Sequence, residues 1–111
     1  MAFFLIDSNI SKRIVDSAEI SEGEKVLEIG PGRGALTGLL SSKGNLIAIE
    51  KDKWLAVVLK QKFKENVEII EGDILKWDVP PIDVIVANLP YSISSPILFR
   101  LFNYEWRAIN Q

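Results

Sequence analysis

An α/β fold, an open sheet of parallel strands with helices between them, is predicted from three observations on this sequence. Short apolar runs of strand length alternate with segments whose apolar residues recur at helical spacing. The first of them, at 25–29, is apolar on both faces, as a central strand covered by helices is. The run at 25–29 meets a glycine turn, Gly30-Pro31-Gly32-Arg33-Gly34, which opens into a helical segment containing Ala35, Leu36, Leu39 and Leu40.

Residues 7–17 set Ile10, Ile14 and Val15 on one side, with Lys12, Arg13 and Asp16 outside and Ser8 able to cap the start. They read as an amphipathic helix. A polar turn at 21–24 leads into the strand 25–29, and the helix after the glycine turn ends near 41–44. Residues 46–49 form the next strand, ending in Glu50. A helix over 52–64 follows, with Leu55, Val58, Leu59 and Phe63 inward and Lys60, Lys62 and Lys64 outward as a solvated face. Val67, Ile69 and Ile70 mark a third strand, which runs into Glu71-Gly72-Asp73. Pro80-Pro81 closes an irregular connection. The fourth strand, 82–87, runs into Asn88-Leu89-Pro90-Tyr91. Ser94 or Ser95 then caps a helix over 95–103, with Pro96 in its first turn and Ile97, Leu98, Leu101 and Phe102 buried. Parallel strands joined in this way need right-handed crossovers.

The 111 residues make one small domain, and 48% hydrophobic with 25% charged residues excludes the composition of a disordered chain. No apolar run approaches the roughly 20 residues of a membrane span, and the start is apolar for too few residues to be a signal peptide. A cytoplasmic protein without membrane contact is expected. The absence of cysteine and histidine removes disulfides, thiolate nucleophiles, imidazole bases and Cys/His zinc sites, so no metal is expected. The formal charge of −2 and the pI near 5.1 lack the basic footprint of a self-sufficient nucleic-acid binder, so any grip on RNA must be local or supplied elsewhere.

In an open α/β sheet, ligands bind beyond the carboxyl ends of the strands. Glu28, the glycine turn, Glu50, Asp73 and Asn88 all fall there. A dinucleotide reading has support, since Gly30-x-Gly32-x-x-Ala35 fits the tolerant fingerprint and Glu50 stands where a ribose-binding acid belongs. Glu28 opposes it, because a carboxylate just before the turn repels a pyrophosphate yet suits a ligand carrying an ammonium group. Each acid alone reads more simply as a surface residue at a strand end; together they resemble a Rossmann-like S-adenosylmethionine-dependent methyltransferase. That resemblance implies S-adenosyl-L-methionine as cofactor, with Gly30, Gly32 and Gly34 hosting its methionine part. Glu50, followed by Lys51, would take the ribose hydroxyls, and Asp73 the adenine amino group, with Ile74 nearby.

Asn88-Leu89-Pro90-Tyr91 reads either as a plain turn or as the reacting centre. An adenine amino group is a poor nucleophile, because its lone pair is delocalised into the ring. It needs acceptors for its protons more than a strong base. The Asn88 side-chain oxygen and the Leu89 carbonyl, freed from sheet pairing by Pro90, are such acceptors, and Tyr91 offers a stacking surface for a flipped base.

With Phe4-Leu5-x-Asp7, Glu28-x-Gly30-x-Gly32-x-Gly34, Glu50, Gly72-Asp73 and Asn88-Leu89-Pro90-Tyr91 followed by Ser92-Ile93-Ser94-Ser95-Pro96, the chain resembles the ribosomal RNA adenine N6,N6-dimethyltransferases. The Ser-Ser-Pro continuation is similar to the archaeal and eukaryotic branch. The resemblance implies methylation of two adjacent adenines in small-subunit ribosomal RNA, with Leu5 near the donor and the small ribosomal subunit as partner. Other amino methyltransferases, of DNA adenine or protein glutamine, use a related motif with proline where Leu89 stands. A donor-binding or ribosome-assembly module without turnover is the non-enzyme alternative.

Two departures from the family stand out. Ala2 occupies the place of a glutamine, and Gln111 ends the chain where the family continues with further strands and a helical RNA-binding domain. The expectation is an N-terminal piece of the donor-binding catalytic domain, inactive alone. Its strand 82–87 would then be an uncovered edge prone to self-association.

Overall fold

In a computed structural model the described residues are 2–5, 20–65 and 67–87. They form a five-stranded, fully parallel sheet. The strands are β1 (Ala2–Leu5), β2 (Lys25–Ile29), β3 (Asn45–Glu50), β4 (Val67–Glu71) and β5 (Val84–Ala87), and the helices are α1 (Ala35–Ser41) and α2 (Lys53–Lys62). The helices expected at 7–17 and 95–103 lie outside the described residues.

The sheet order is β1-β5-β2-β3-β4. The chain therefore steps outward from β2 to β4, then returns to the other side of β2 with β5. This reversal makes a switch point between β2 and β5, the place where sheets of this kind bind ligands, and the glycine turn leaves β2 there.

Both helices cover one face of the sheet. Val26, Leu46, Val84 and Val86 meet Leu36 and Leu40 of α1, while Ala48 and Ile69 meet Ala56 and Leu59 of α2. On the opposite face Leu27, Ile29, Ile49, Ile85 and Ala87 pack against Ile74, Trp77, Val79 and Ile82 of the irregular connection. Every residue from Val26 to Ile29 and from Val84 to Ala87 is buried, which is why neither strand shows alternation in sequence.

Three expectations are corrected. The run 82–87 is not an uncovered edge: β5 pairs with β2 through Val26↔Val84 to Ile29↔Ala87 and with β1 through Ala2↔Val84 to Leu5↔Ala87. Among the described residues the edge strands are β1 and β4, so the template expected for self-association is already used within the chain. Helix α2 is shorter than 52–64, because Asp52 caps its start by accepting from the Leu55 N–H at 3.1 Å and Phe63 turns extended at its end. Its buried positions are Ala56 and Leu59, with Leu55, Val58 and Phe63 only half-buried.

Phe63 leaves the helix to fill a groove that two glycines provide. A Cβ at Gly34 would stand 2.7 Å from Phe63 Cε2 and 3.0 Å from Leu59 Cδ2, and one at Gly38 would touch the same ring at 3.8 Å. Gly34 also has φ +90°. Gly34→Ala therefore combines a left-handed backbone with a clash, each costing about 1–2 kcal/mol or more. Denaturant unfolding of Gly34→Ala should show about 2–4 kcal/mol lost; a loss below 0.5 kcal/mol would exclude this packing.

Candidate functional site

Four strand ends carry the candidate residues to one rim. Register places Leu5, Ile29 and Ala87 side by side, with Ile49 next to Ile29 and Glu50 beside Glu71. The pairing continues past the strands, since the Gly30 N–H donates to the Ile49 carbonyl at 3.1 Å and the Gly72 N–H to the Glu50 carbonyl at 2.9 Å. Glu28, Gly30, Gly32, Gly34, Glu50, Lys51, Asp73 and Ile74 are thus brought together from segments far apart in sequence. Asn88, Leu89, Pro90 and Tyr91 lie outside the described residues.

Glu50 anchors the turn. Its Oε1 accepts from the Gly32 N–H at 3.0 Å and its Oε2 from the Asp52 N–H at 2.9 Å, and the residue is buried. One carboxylate thereby ties the glycine turn to the start of α2. Each oxygen keeps a further lone pair for a ligand. Gly32 has φ +59°, and a Cβ there would meet nothing within 4 Å. Its lack of a side chain leaves open space at the rim, in contrast to Gly34, whose space α2 already uses.

Glu28 is completely buried beneath the turn. The Thr37 hydroxyl of α1 donates to its Oε1 at 2.6 Å, while Oε2 has no hydrogen-bond partner among the described residues. Burial pushes its pKa up to about 7; the Thr37 hydrogen bond works against this rise, and the nearby Glu50 charge adds to it. Thr37 is the site residue that the sequence reading missed. It lies nine positions from Glu28 and is also fully buried. A threonine on the sheet-facing side of the first helix, opposite an acid in a strand core, was the available signal.

Asp73 turns its own loop, with Oδ1 accepting from the Leu75 N–H at 2.9 Å and Oδ2 3.9 Å from Lys51 Nζ. Ile74 beside it is buried in the core under β2 and β3. The pair offers an acceptor next to an apolar wall. Lys51 is far more exposed than Asp73, so their contact is a weak, screened ion pair.

No group of three or more His, Cys, Asp or Glu able to hold a metal ion occurs among the described residues, and no helix there is long and apolar enough to cross a membrane.

The geometry agrees with what the chain is similar to. A family profile described as "Ribosomal RNA adenine dimethylase" matches residues 2–111. A probable ribosomal RNA small subunit methyltransferase A from Methanococcoides burtonii is 54% identical over 106 residues, which covers 93% of this chain and 39% of that protein. Among solved structures, a dimethyladenosine transferase from Plasmodium falciparum superposes with a TM-score of 0.78 at 36% identity, covering 90% of this chain and 38% of that one. The 23S rRNA methyltransferase ErmE does so with 0.74 at 35% identity, covering 86% and 41%. The chain spans about 40% of the length of these proteins.

Proposed function

The chain belongs to the ribosomal RNA adenine dimethylase family, and we propose that it provides the S-adenosylmethionine-binding part of an enzyme that methylates the N6 amino groups of two adjacent adenines in small-subunit ribosomal RNA. We place its work on ribosomes in the cytoplasm. The observation that carries this reading is the convergence of Glu28, Gly32, Glu50 and Asp73 on one rim at the switch point of the sheet.

The residues fit an S-adenosyl donor. Open space at Gly32 admits a ligand close to the backbone, and the unpartnered Glu28 oxygen beneath the turn sets negative charge under it. When bound, the donor supplies an electrophilic methyl group on a sulfonium sulfur. Glu50 holds the ribose hydroxyls with its remaining lone pairs while keeping the turn closed. Asp73 accepts from the adenine amino group, and Ile74 supplies the apolar side of that subsite. Glu28 draws the donor's ammonium through its field, which is little screened in the protein interior. Gly30 and Gly34 shape the turn, and Leu5 at the end of β1 and Lys51 just after β3 flank the rim.

Asn88 follows β5 directly in the chain. In this reading its amide oxygen and the Leu89 carbonyl would accept hydrogen bonds from the two N–H groups of the target amine and orient its lone pair toward the methyl group; as the N–C bond forms the donor's C–S bond would break, and one N–H proton, made acidic by methylation, would pass to water. Pro90 holds Leu89 out of the sheet pairing, and Tyr91 stacks on the flipped base. Catalysis is then positioning plus electrostatics, with no strong base required.

The test uses the full-length protein, with labelled donor and undermethylated small ribosomal subunits, against naked DNA as control. Transfer to the subunits and not to DNA is expected. Asn88→Ala should lower turnover about a hundredfold while changing donor affinity only a few-fold, since its interactions are made mainly in the transition state. Preferential methylation of DNA, or displacement of the donor by NAD, would overturn the reading.

A further inference from the structure

Helix α2 carries a face that neither the fold nor the donor site uses. At 100° per residue, Lys60, Lys53, Val57, Gln61 and Trp54 fall in an arc of roughly 120°, and all five are exposed. Trp54 is 73% exposed and Val57 39%. The surrounding charge is uneven. Residues 51–65 carry five lysines against two acids, Asp52 and Glu65, whereas the other 96 residues carry eight basic and thirteen acidic side chains.

A solvated face accounts for part of this pattern only. Lys60 and Lys62 in the last turn are favoured by the helix dipole, but Lys53, the first residue of α2, sits at the end where a cation is disfavoured. Neither Lys53 nor Lys60 makes an ion pair among the described residues. The nearest acids do not neutralise the face. Asp52 is engaged as the helix cap, Glu65 forms no ion pair with Lys53 or Lys60 among the described residues, and Glu68 lies on the opposite side of β4 from Val67 and Ile69, which pack against α2. An outward indole among unpaired lysines resembles the stacking platforms with flanking cations that grip nucleic acid.

We propose that this face of α2 is an RNA-docking surface, in which Lys53 and Lys60 take backbone phosphates and the Trp54 indole stacks on an unpaired base. The surface begins at the rim. Trp54 lies four residues after Glu50, so RNA held along α2 leads its neighbouring nucleotides to the crevice. On the other flank of the helix, Lys62 Nζ donates to the Arg33 carbonyl at 3.4 Å, bringing further cations beside the glycine turn. An acidic chain can thereby hold a polyanion locally. The partner's identity as ribosomal RNA rests on the proposed function; the charge and stacking argument does not.

The test measures binding of the full-length protein to a fluorescently labelled RNA hairpin with an unpaired adenosine-rich loop, over a range of salt concentrations. Trp54→Ala should weaken binding about tenfold at fixed salt, and Trp54→Phe should recover most of it. Lys53→Gln with Lys60→Gln should reduce the slope of log affinity against log salt by about 1.4, the value for two phosphates of a single strand. Donor affinity and far-ultraviolet circular dichroism should match the parent, because these side chains are exposed and outside the donor site. A parent that binds the hairpin with variants that bind equally well would overturn this proposal alone, whereas a parent that binds no RNA would overturn the proposed function as well. Loss of binding to small subunits with hairpin binding intact would assign the face to a ribosomal protein instead, and so also overturn it.

Discussion

Glu50→Ala is expected to weaken binding of S-adenosylhomocysteine at least a hundredfold. Two losses combine. On the proposed reading the ribose hydroxyls lose an acceptor, and hydrogen bonds to a charged group contribute about 1.5–3 kcal/mol. The turn also loses its tie, since the Gly32 and Asp52 N–H groups both donate to this carboxylate. Glu50→Gln should be nearly as damaging, although it is closer in shape. Both carboxylate oxygens face backbone donors, so the new amide nitrogen must oppose one of them, donor against donor. A surface acid that merely contacted the ribose would tolerate glutamine, keeping one acceptor. Titration calorimetry on the parent and both variants distinguishes the cases; Glu50→Ala within threefold of the parent would remove Glu50 from the site.

The second large effect is on stability. Glu28 has its carboxyl raised from 4.5 to about 7 in the folded chain, with burial as the main cause. A raised acid binds its proton more tightly in the native state, so the stability linked to it is fully present below pH 4.5 and is lost as pH rises through about 7. The shift corresponds to about 3 kcal/mol between the ends of that window. Glu28→Gln has the shape of the protonated form and keeps an oxygen for the Thr37 hydroxyl. Urea unfolding at pH 5 and pH 8 should therefore show the parent losing stability at the higher pH and the variant losing about 2.5 kcal/mol less. The same variant should bind the donor more weakly, because the charge beneath the turn is gone. Equal pH dependence in parent and variant would show that Glu28 does not titrate in this window.

Much of this was legible in the sequence because glycines and strand-end acids mark their own places. The run 25–29, the turn after it and Glu50 needed only spacing to be set at one rim, and the parallel sheet followed from alternation of element types. Chain topology was harder to read. Ala2–Leu5 is four residues long, shows no alternation, and earns strand status only by pairing with Val84–Ala87, far away in sequence. The extended turn of Phe63 depends on the Gly34 and Gly38 groove, a contact between two helices that no local pattern announces. Nor does spacing reveal that Glu28 is sealed from solvent or that Thr37 reaches it. Burial is a property of the assembled layers. Lys60, Lys62 and Lys64 are exposed, as a solvated face is, but spacing did not announce that the Trp54 indole stands exposed on the same helix.

The pairing of β1 with β5 also sets an order in time. During synthesis, β2, β3 and β4 emerge consecutively, and each can dock on its predecessor within a short stretch of chain. Residues 2–5 must wait for 84–87, about 80 residues later, which at roughly 5–20 residues per second is on the order of 4–16 s. For that interval an apolar segment, Ala2-Phe3-Phe4-Leu5, has no strand to join. Closing so long a loop costs only slowly growing entropy, but it follows the docking of β2, β3 and β4. Residues 2–5 can join the sheet only when β5 arrives, and the same event puts Leu5 beside Ala87 at the rim of strand ends.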